Sequence, residues 1–187
     1  LFKNGYTIIE NYFDDKTCDE LKNYLDNKYK ANQNNLPYNY SKGHYQIHLP
    51  NDCNNIPKNI LFDKKIHSLL KEVLGNYYMY SYTCNANIAD KNQPYHMDCS
   101  HFHPIQTIKK FGSPGPPAQI IVNIYLQDTN EENGSFEIVP KSHLFTDFNI
   151  DEDGIIDEKY ITNTIKCNLN KGSVIIRDKR TWHRGTL

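Results

Sequence analysis

From residue 77 to the C-terminus, apolar residues come in short runs closed by turns, and that rhythm excludes most folds open to a chain of this size. Short runs rich in Val, Ile, Tyr and Phe read as strands, and the Gly, Pro, Asn and Asp clusters between them read as turns. The pattern places strands over residues 77–89, 94–98, 118–128, 135–140, 162–169, 173–178 and 182–187. The stretch 118–128 (AQIIVNIYLQD) is the most apolar and is expected at the centre of a sheet. The Gly/Pro loop 104–117 cannot be central sheet, because proline has no N–H to give to a ladder. Ahead of residue 77 the period changes. Strands over 5–13 and 44–49 flank a helix over 14–30, capped by Asp14 or Asp15, with Cys18, Leu21, Tyr24 and Leu25 on one face. The Asn-rich stretch 31–43 reads as a loop. A second helix over 63–75 runs from an Asp63 cap to Gly75, with Ile66, Leu69, Leu70, Val73 and Leu74 as its stripe. Helices first and antiparallel strands after imply a mainly β chain with flanking helices, its strands forming a double-stranded β-helix, the cupin-like jelly roll.

At 187 residues the chain is expected to be one domain spanning 1–187, trimmed at both termini. A hydrophobic content of 38% with 12% aromatics excludes disorder, and a net charge of -1 excludes a generic nucleic-acid or anionic-membrane surface. No apolar run approaches the roughly 18–20 residues of a membrane-spanning helix. The five cysteines (Cys18, Cys53, Cys84, Cys99 and Cys167) never fall in C-x-x-C spacing, which reads as free thiols in a reducing compartment and hence an intracellular, cytoplasmic protein. No pattern in the chain speaks to oligomeric state.

The residues that carry chemistry lie in the strand 94–98. In an extended chain i and i+2 leave on the same face, so the imidazole of His96 and the carboxylate of Asp98 stand side by side. His183, from another strand, can complete three ligands on one side of a metal. Such a 2-His-1-carboxylate face leaves the opposite positions open and is the arrangement of non-heme Fe(II) oxygenases. An H-x-D alone is common by chance in a chain with eight histidines, so the weight falls on the motifs around it.

Those motifs run in a specific order. After His96-Met97-Asp98 come the Gly/Pro loop, Leu126-Gln127-Asp128, Glu132-Asn133-Gly134, Pro140-Lys141-Ser142-His143, Gly172-Ser173-Val174 and Trp182-His183-Arg184-Gly185. In order and spacing the chain resembles the phytanoyl-CoA dioxygenase family of Fe(II)/2-oxoglutarate oxygenases, over residues 4–187. The resemblance implies that His96, Asp98 and His183 bind Fe(II), and that 2-oxoglutarate and O2 are co-substrates. It further implies that a C–H bond of a small organic substrate is hydroxylated, with release of succinate and CO2. Polar groups on the strand around Thr83 serve the co-substrate in that family, which makes Asn85 and Asn87 candidates. Asn123, an amide inside an apolar strand, and Thr186, just past His183, are two more. The family's P-G-S-H is Pro-Lys-Ser-His here, and its arginine for the far carboxylate of the oxoacid, about ten residues past the distal histidine, lies beyond Leu187 or is missing. Related halogenases replace the metal-binding carboxylate with a small residue. Asp98 is retained, which favours hydroxylation.

Two other readings stay open on the sequence. One is a non-catalytic or degenerate jelly-roll binding module. The other is a zinc-dependent cupin-like enzyme drawing on His101 and His103 with Cys99 or Asp98, although these lack the paired spacing of closed zinc sites. Of the remaining polar residues, His101 and His103 read as entrance or solvent-facing, and His143 as a turn residue bonded to backbone. Trp182 reads as core, Cys99 as a buried thiol, and Arg177 and Arg180 as solvated at a strand edge. The loops 31–43, 104–117 and 147–158 are expected to form the rim of the barrel mouth.

Overall fold

The computed structural model describes residues 1–31, 39–41, 44–48, 58–79, 81–87, 91–98, 115–151 and 153–187. Cys53, Cys99, His101, His103 and most of the Gly/Pro loop lie outside the described residues. In chain order the elements are β1 (Tyr6–Ile9), α1 (Asp15–Ala31), β2 (Asn39–Ser41), β3 (His44–His48), α2 (Lys58–Leu61), α3 (Lys64–Leu74), β4 (Thr83–Asn87), β5 (Ile120–Ile124), β6 (Phe136–Ile138), β7 (Ile165–Cys167), β8 (Val174–Asp178) and β9 (His183–Gly185). The secondary structure is mostly sheet with few helices. The chain divides into two compact units, one of Leu1–Tyr12 with Lys91–Leu187 and one of Phe13–Asp90.

The first unit holds two three-stranded antiparallel sheets, ordered β1-β8-β5 and β7-β6-β9. All five residues of β8 are buried, whereas those of β5 are only half-buried. The most apolar stretch therefore flanks the central strand and does not form it. The reason is a long-range pairing that no local pattern encodes: β1, from the start of the chain, covers the second edge of β8 in the register Tyr6 to Arg177 and Ile8 to Ile175. Between β5 and β6, Asn130 Oδ1 accepts from the N–H groups of Glu132 and Asn133, while Asn133 Nδ2 donates to Asp128 O. These side chains supply a turn with the hydrogen bonds its backbone lacks.

A core cluster of Tyr95, Met97, Val139, Phe148, Ile156 and Trp182 lies in this unit. Phe145 and Phe148 meet the Trp182 ring edge-on, at 5.2 and 4.8 Å between centroids. The Pro-Lys-Ser-His turn is tied to the Trp182 strand by one hydroxyl: Ser142 Oγ donates to Val139 O at 2.7 Å and accepts from Trp182 N–H at 2.8 Å. Lys141 at the tip has φ 68°, the left-handed region that glycine occupies without penalty.

In the second unit, Asp14 accepts from Thr17 N–H at the start of α1, which buries Cys18, Leu21 and Leu25. Asp63 caps α3, accepting from Lys65 and Ile66, and Gly75 ends it at φ 72°. β2, β3 and β4 form an antiparallel sheet. Two readings of the sequence are corrected here, and one element had no reading. Residues 39–41, inside the expected loop, form β2. The four-residue α2, which buries Ile60 and Leu61, is too short to show a period. The long strand expected over 77–89 is confined to β4 in the described residues, because Tyr77 turns back to stack on His67 of α3 at 5.9 Å between rings.

Candidate metal centre

His96 and His183 meet through a two-way backbone bridge. His96 N–H donates to His183 O at 3.0 Å, and His183 N–H donates to His96 O at 3.1 Å. Directly opposed residues in an antiparallel pair project to the same side, and the two rings lie 4.3 Å apart, tilted by 55°. Alternation does the rest. Tyr95 and Met97 enter the hydrophobic cluster, while His96 and Asp98 leave on the other face. One donor atom from each of His96, Asp98 and His183 lies within 4.8 Å of the others.

Backbone carbonyls settle which nitrogens face one another. His96 Nδ1 lies 2.9 Å from Pro94 O, and His183 Nδ1 lies 2.9 Å from Thr181 O. A carbonyl only accepts, so both Nδ1 atoms carry the proton and both Nε2 lone pairs are left for a ligand. His96 Nε2 is 3.8 Å from Asp98 Oδ1, and His183 Nε2 is 3.4 Å from Asp98 Oδ2. Donors that each bind a metal at about 2.1 Å can be up to about 4.2 Å apart, so both of these separations accommodate one ion. His183 is buried, its side chain 5% exposed, whereas those of His96 and Asp98 are 23% and 28% exposed. The centre is closed on one side and accessible on the other.

The charges suit a divalent cation. Burial, followed by the positive charge of Arg177, holds His183 well below the usual imidazole range, so it is neutral. Burial alone would raise the Asp98 carboxyl. The Arg177 guanidinium bonded to it outweighs burial and holds Asp98 well below the usual carboxylate range. Two imidazoles and one carboxylate are the donor set of non-heme Fe(II) sites, and the residues fit that ion.

Behind the triad stands Arg177, on the central strand β8. The sequence suggested a solvated arginine at a strand edge, but the residue is 3% exposed. Its Nη2 donates to Asp98 Oδ2 at 2.5 Å and its Nε to Asn123 Oδ1 at 3.3 Å. Its guanidinium lies 5.7 Å from the Phe136 ring centroid, and that ring packs 5.1 Å from His183. A second buttress joins the two histidine-bearing segments. Glu137 accepts from Tyr95 Oη and from Arg184 Nε, each at 2.6 Å, and the Arg184 guanidinium lies 4.3 Å over the Tyr95 ring. Tyr95 precedes His96 and Arg184 follows His183, so one carboxylate braces both ligands. Burial and then Glu137 push the Tyr95 hydroxyl up to about 12. Neither buttress was legible beforehand, although Arg184 sits inside the recognised W-H-R-G motif.

Of the other candidates, Asn123 contacts Arg177. Thr186 Oγ1 donates to Ser135 O and accepts from Ser135 N–H, tying the end of β9 to the start of β6. Asn85 and Asn87 lie on β4 in the second unit, where Asn85 is exposed. His143 is a buried turn residue bonded to Phe2 O at 3.0 Å. Arg180 pairs with buried Asp178 at 2.6 Å.

A family model described as phytanoyl-CoA dioxygenase (PhyH) matches residues 1–186. Among solved structures, the chain is similar to the non-heme alpha-ketoglutarate-dependent epimerase SnoN from nogalamycin biosynthesis. The TM-score is 0.70 at 16% identity, covering 99% of this chain and 71% of that one. It is also similar to the non-heme alpha-ketoglutarate-dependent carbocyclase SnoK from nogalamycin biosynthesis, with a TM-score of 0.71 at 14% identity over 99% and 74% of the two chains. A further SnoN structure, in complex with Fe3+, alpha-ketoglutarate and nogalamycin RO, matches with a TM-score of 0.66 at 14% identity, over 99% of this chain and 73% of that one. At these identities the likeness is one of fold.

Proposed function

The chain belongs to the phytanoyl-CoA dioxygenase family, and from that premise we propose an Fe(II)- and 2-oxoglutarate-dependent dioxygenase that hydroxylates a C–H bond of a small organic substrate. In this reading residues 1–187 are one dioxygenase domain on a double-stranded β-helix, and His96, Asp98 and His183 hold the iron. The observation that supports it most is the pair of imidazoles, each held at Nδ1 by a backbone carbonyl, whose Nε2 atoms turn toward one carboxylate.

When bound, iron with 2-oxoglutarate and O2 supplies the oxidising power: the oxoacid is decarboxylated to succinate and CO2, one oxygen atom entering succinate and the other the substrate. The protein holds and orients. Pro94 O and Thr181 O fix the two imidazole rings, and Glu137 fixes the segments that carry them. The apolar cluster around Trp182 keeps water from one side of the ligands. Asn85, Asn87, Asn123 and Thr186 are proposed co-substrate contacts, Asn123 acting through Arg177. SnoN and SnoK are described as an epimerase and a carbocyclase, which makes the fate of the substrate the variable to measure. A reducing, cytoplasmic setting is proposed from the five cysteines, none of which fall in C-x-x-C spacing. Among the described residues no helix is long and apolar enough to cross a membrane.

The experiment is turnover with 18O2. Protein supplied with Fe(II) and 2-oxoglutarate, and screened against a panel of small metabolites, is expected to release succinate and to place one 18O atom in the product. A product free of 18O with an inverted centre or a new ring would replace hydroxylation by another outcome. Succinate release no greater than that of Asp98→Ala, across the panel, would end the oxygenase reading.

A further inference from the structure

Arg177 is only partly explained by its contacts with protein. Its Nη2 and Nε are satisfied by Asp98 and Asn123, but its Nη1 is buried and has no hydrogen-bond partner among the described residues. Buried donors without partners are rare, because each forfeits the hydration it had in the unfolded chain. Arginine cannot relieve this by losing its proton. Phe136 lies against the guanidinium and offers it no acceptor. The unused donor shares its guanidinium with the nitrogen that binds Asp98 Oδ2, so it lies one guanidinium edge from the metal-binding carboxylate.

We propose that Arg177 Nη1 binds the carboxylate of the oxoacid co-substrate at the end that lies against the metal. This rests on the oxygenase reading and adds to it a co-substrate contact upstream of His183. Charge supports it. Asp98 and Arg177 form a neutral pair, so a divalent cation on the triad leaves two positive charges, which an oxoacid dianion neutralises. Geometry restricts the end concerned. With Nη2 bonded to the metal-binding Asp98, Nη1 belongs to the same guanidinium, so the end of the oxoacid within its reach is the one that lies against the metal. The far carboxylate of a five-carbon oxoacid would need a separate cation.

The test compares wild type with Arg177→Gln, and with Arg177→Lys in case the neutral variant does not fold. Co(II) absorption reports metal binding alone. The visible band that forms when an oxoacid joins the Fe(II) protein anaerobically reports oxoacid affinity, using 2-oxoglutarate and the monocarboxylate 2-oxobutyrate. Because Arg177 also holds the metal-binding Asp98, Co(II) affinity is measured for each variant and oxoacid affinity is read at saturating metal. Loss of one charge-assisted hydrogen bond should weaken both oxoacids about 10- to 100-fold in Arg177→Gln, and by a smaller factor in Arg177→Lys. Wild-type oxoacid affinity in either folded variant overturns the proposal. So does a loss confined to 2-oxoglutarate, which would assign Arg177 to the far carboxylate. If the wild-type protein itself gives no band, the oxygenase reading falls and takes this proposal with it.

Discussion

Single residues here carry conformational and protonation costs that solution measurements can isolate. Lys141 holds a left-handed backbone, φ 68°, at the tip of the turn whose serine ties down the Trp182 strand. A side chain in that region costs about 1–2 kcal/mol, part of which glycine returns as extra freedom in the unfolded chain. Lys141→Gly should therefore stabilise the protein by about 0.5–1 kcal/mol in chemical denaturation. His183 makes an opposite contribution at low pH. Its folded pKa lies well below the usual 6.5, so below pH 6.5 the unfolded chain binds a proton that the folded chain does not. Stability of the metal-free protein should then fall as pH drops below 6.5, His183 contributing a slope of up to about 1.4 kcal/mol per pH unit, and His183→Asn should remove that contribution while leaving the part due to buried His143. His96, Asp98 and His183 were legible in the sequence because strand alternation and one remote histidine suffice to nominate them. Arg177 was not. Its partners Asp98 and Asn123 come from other strands, and an Arg-Asp pair closing an apolar run reads equally well as a solvated strand end.

At the scale of elements, the centre depends on a bridge between two short extended segments and on the carboxylate that clamps them. Glu137 is buried on β6, and its two partners flank the two imidazole ligands. Glu137→Gln keeps the shape but removes the charge from Arg184 and the strong acceptor from Tyr95, at an expected cost of about 1–3 kcal/mol. If the clamp serves the metal ligands, the same variant should also weaken Co(II) binding several-fold. Unchanged Co(II) affinity alongside lost stability would make it a purely structural brace. The helices α1 and α3 were legible because caps and apolar stripes are local properties. The exchange of β5 for β8 at the sheet centre was not, since it depends on a pairing with β1 from the far end of the chain. Tyr77 shows how a contact overrides propensity: an aromatic-rich run suited to a strand instead folds back onto His67.

For the molecule as a whole, the centre ties folding to metal. Two histidines and an aspartate remote in sequence lie together only in the folded chain, so a divalent ion that binds them favours the folded state. Saturation at about 100 times the dissociation constant should add roughly 2.7 kcal/mol of stability, read as a rise in Tm, and His183→Ala should abolish the rise. The mainly β character and the order of motifs were legible because turns and short apolar runs repeat along the chain. The second unit was less so, since its short elements carry little period. One ion held by His96, Asp98 and His183, with an oxoacid beside it, is the feature on which the proposed chemistry depends. Anaerobic titration of the protein with Fe(II) and 2-oxoglutarate tests this directly. The prediction is a visible charge-transfer band that saturates at one iron per chain and disappears in His96→Ala, Asp98→Ala and His183→Ala alike. A band that survives in any of the three at wild-type intensity, or never forms in the wild type, would contradict it.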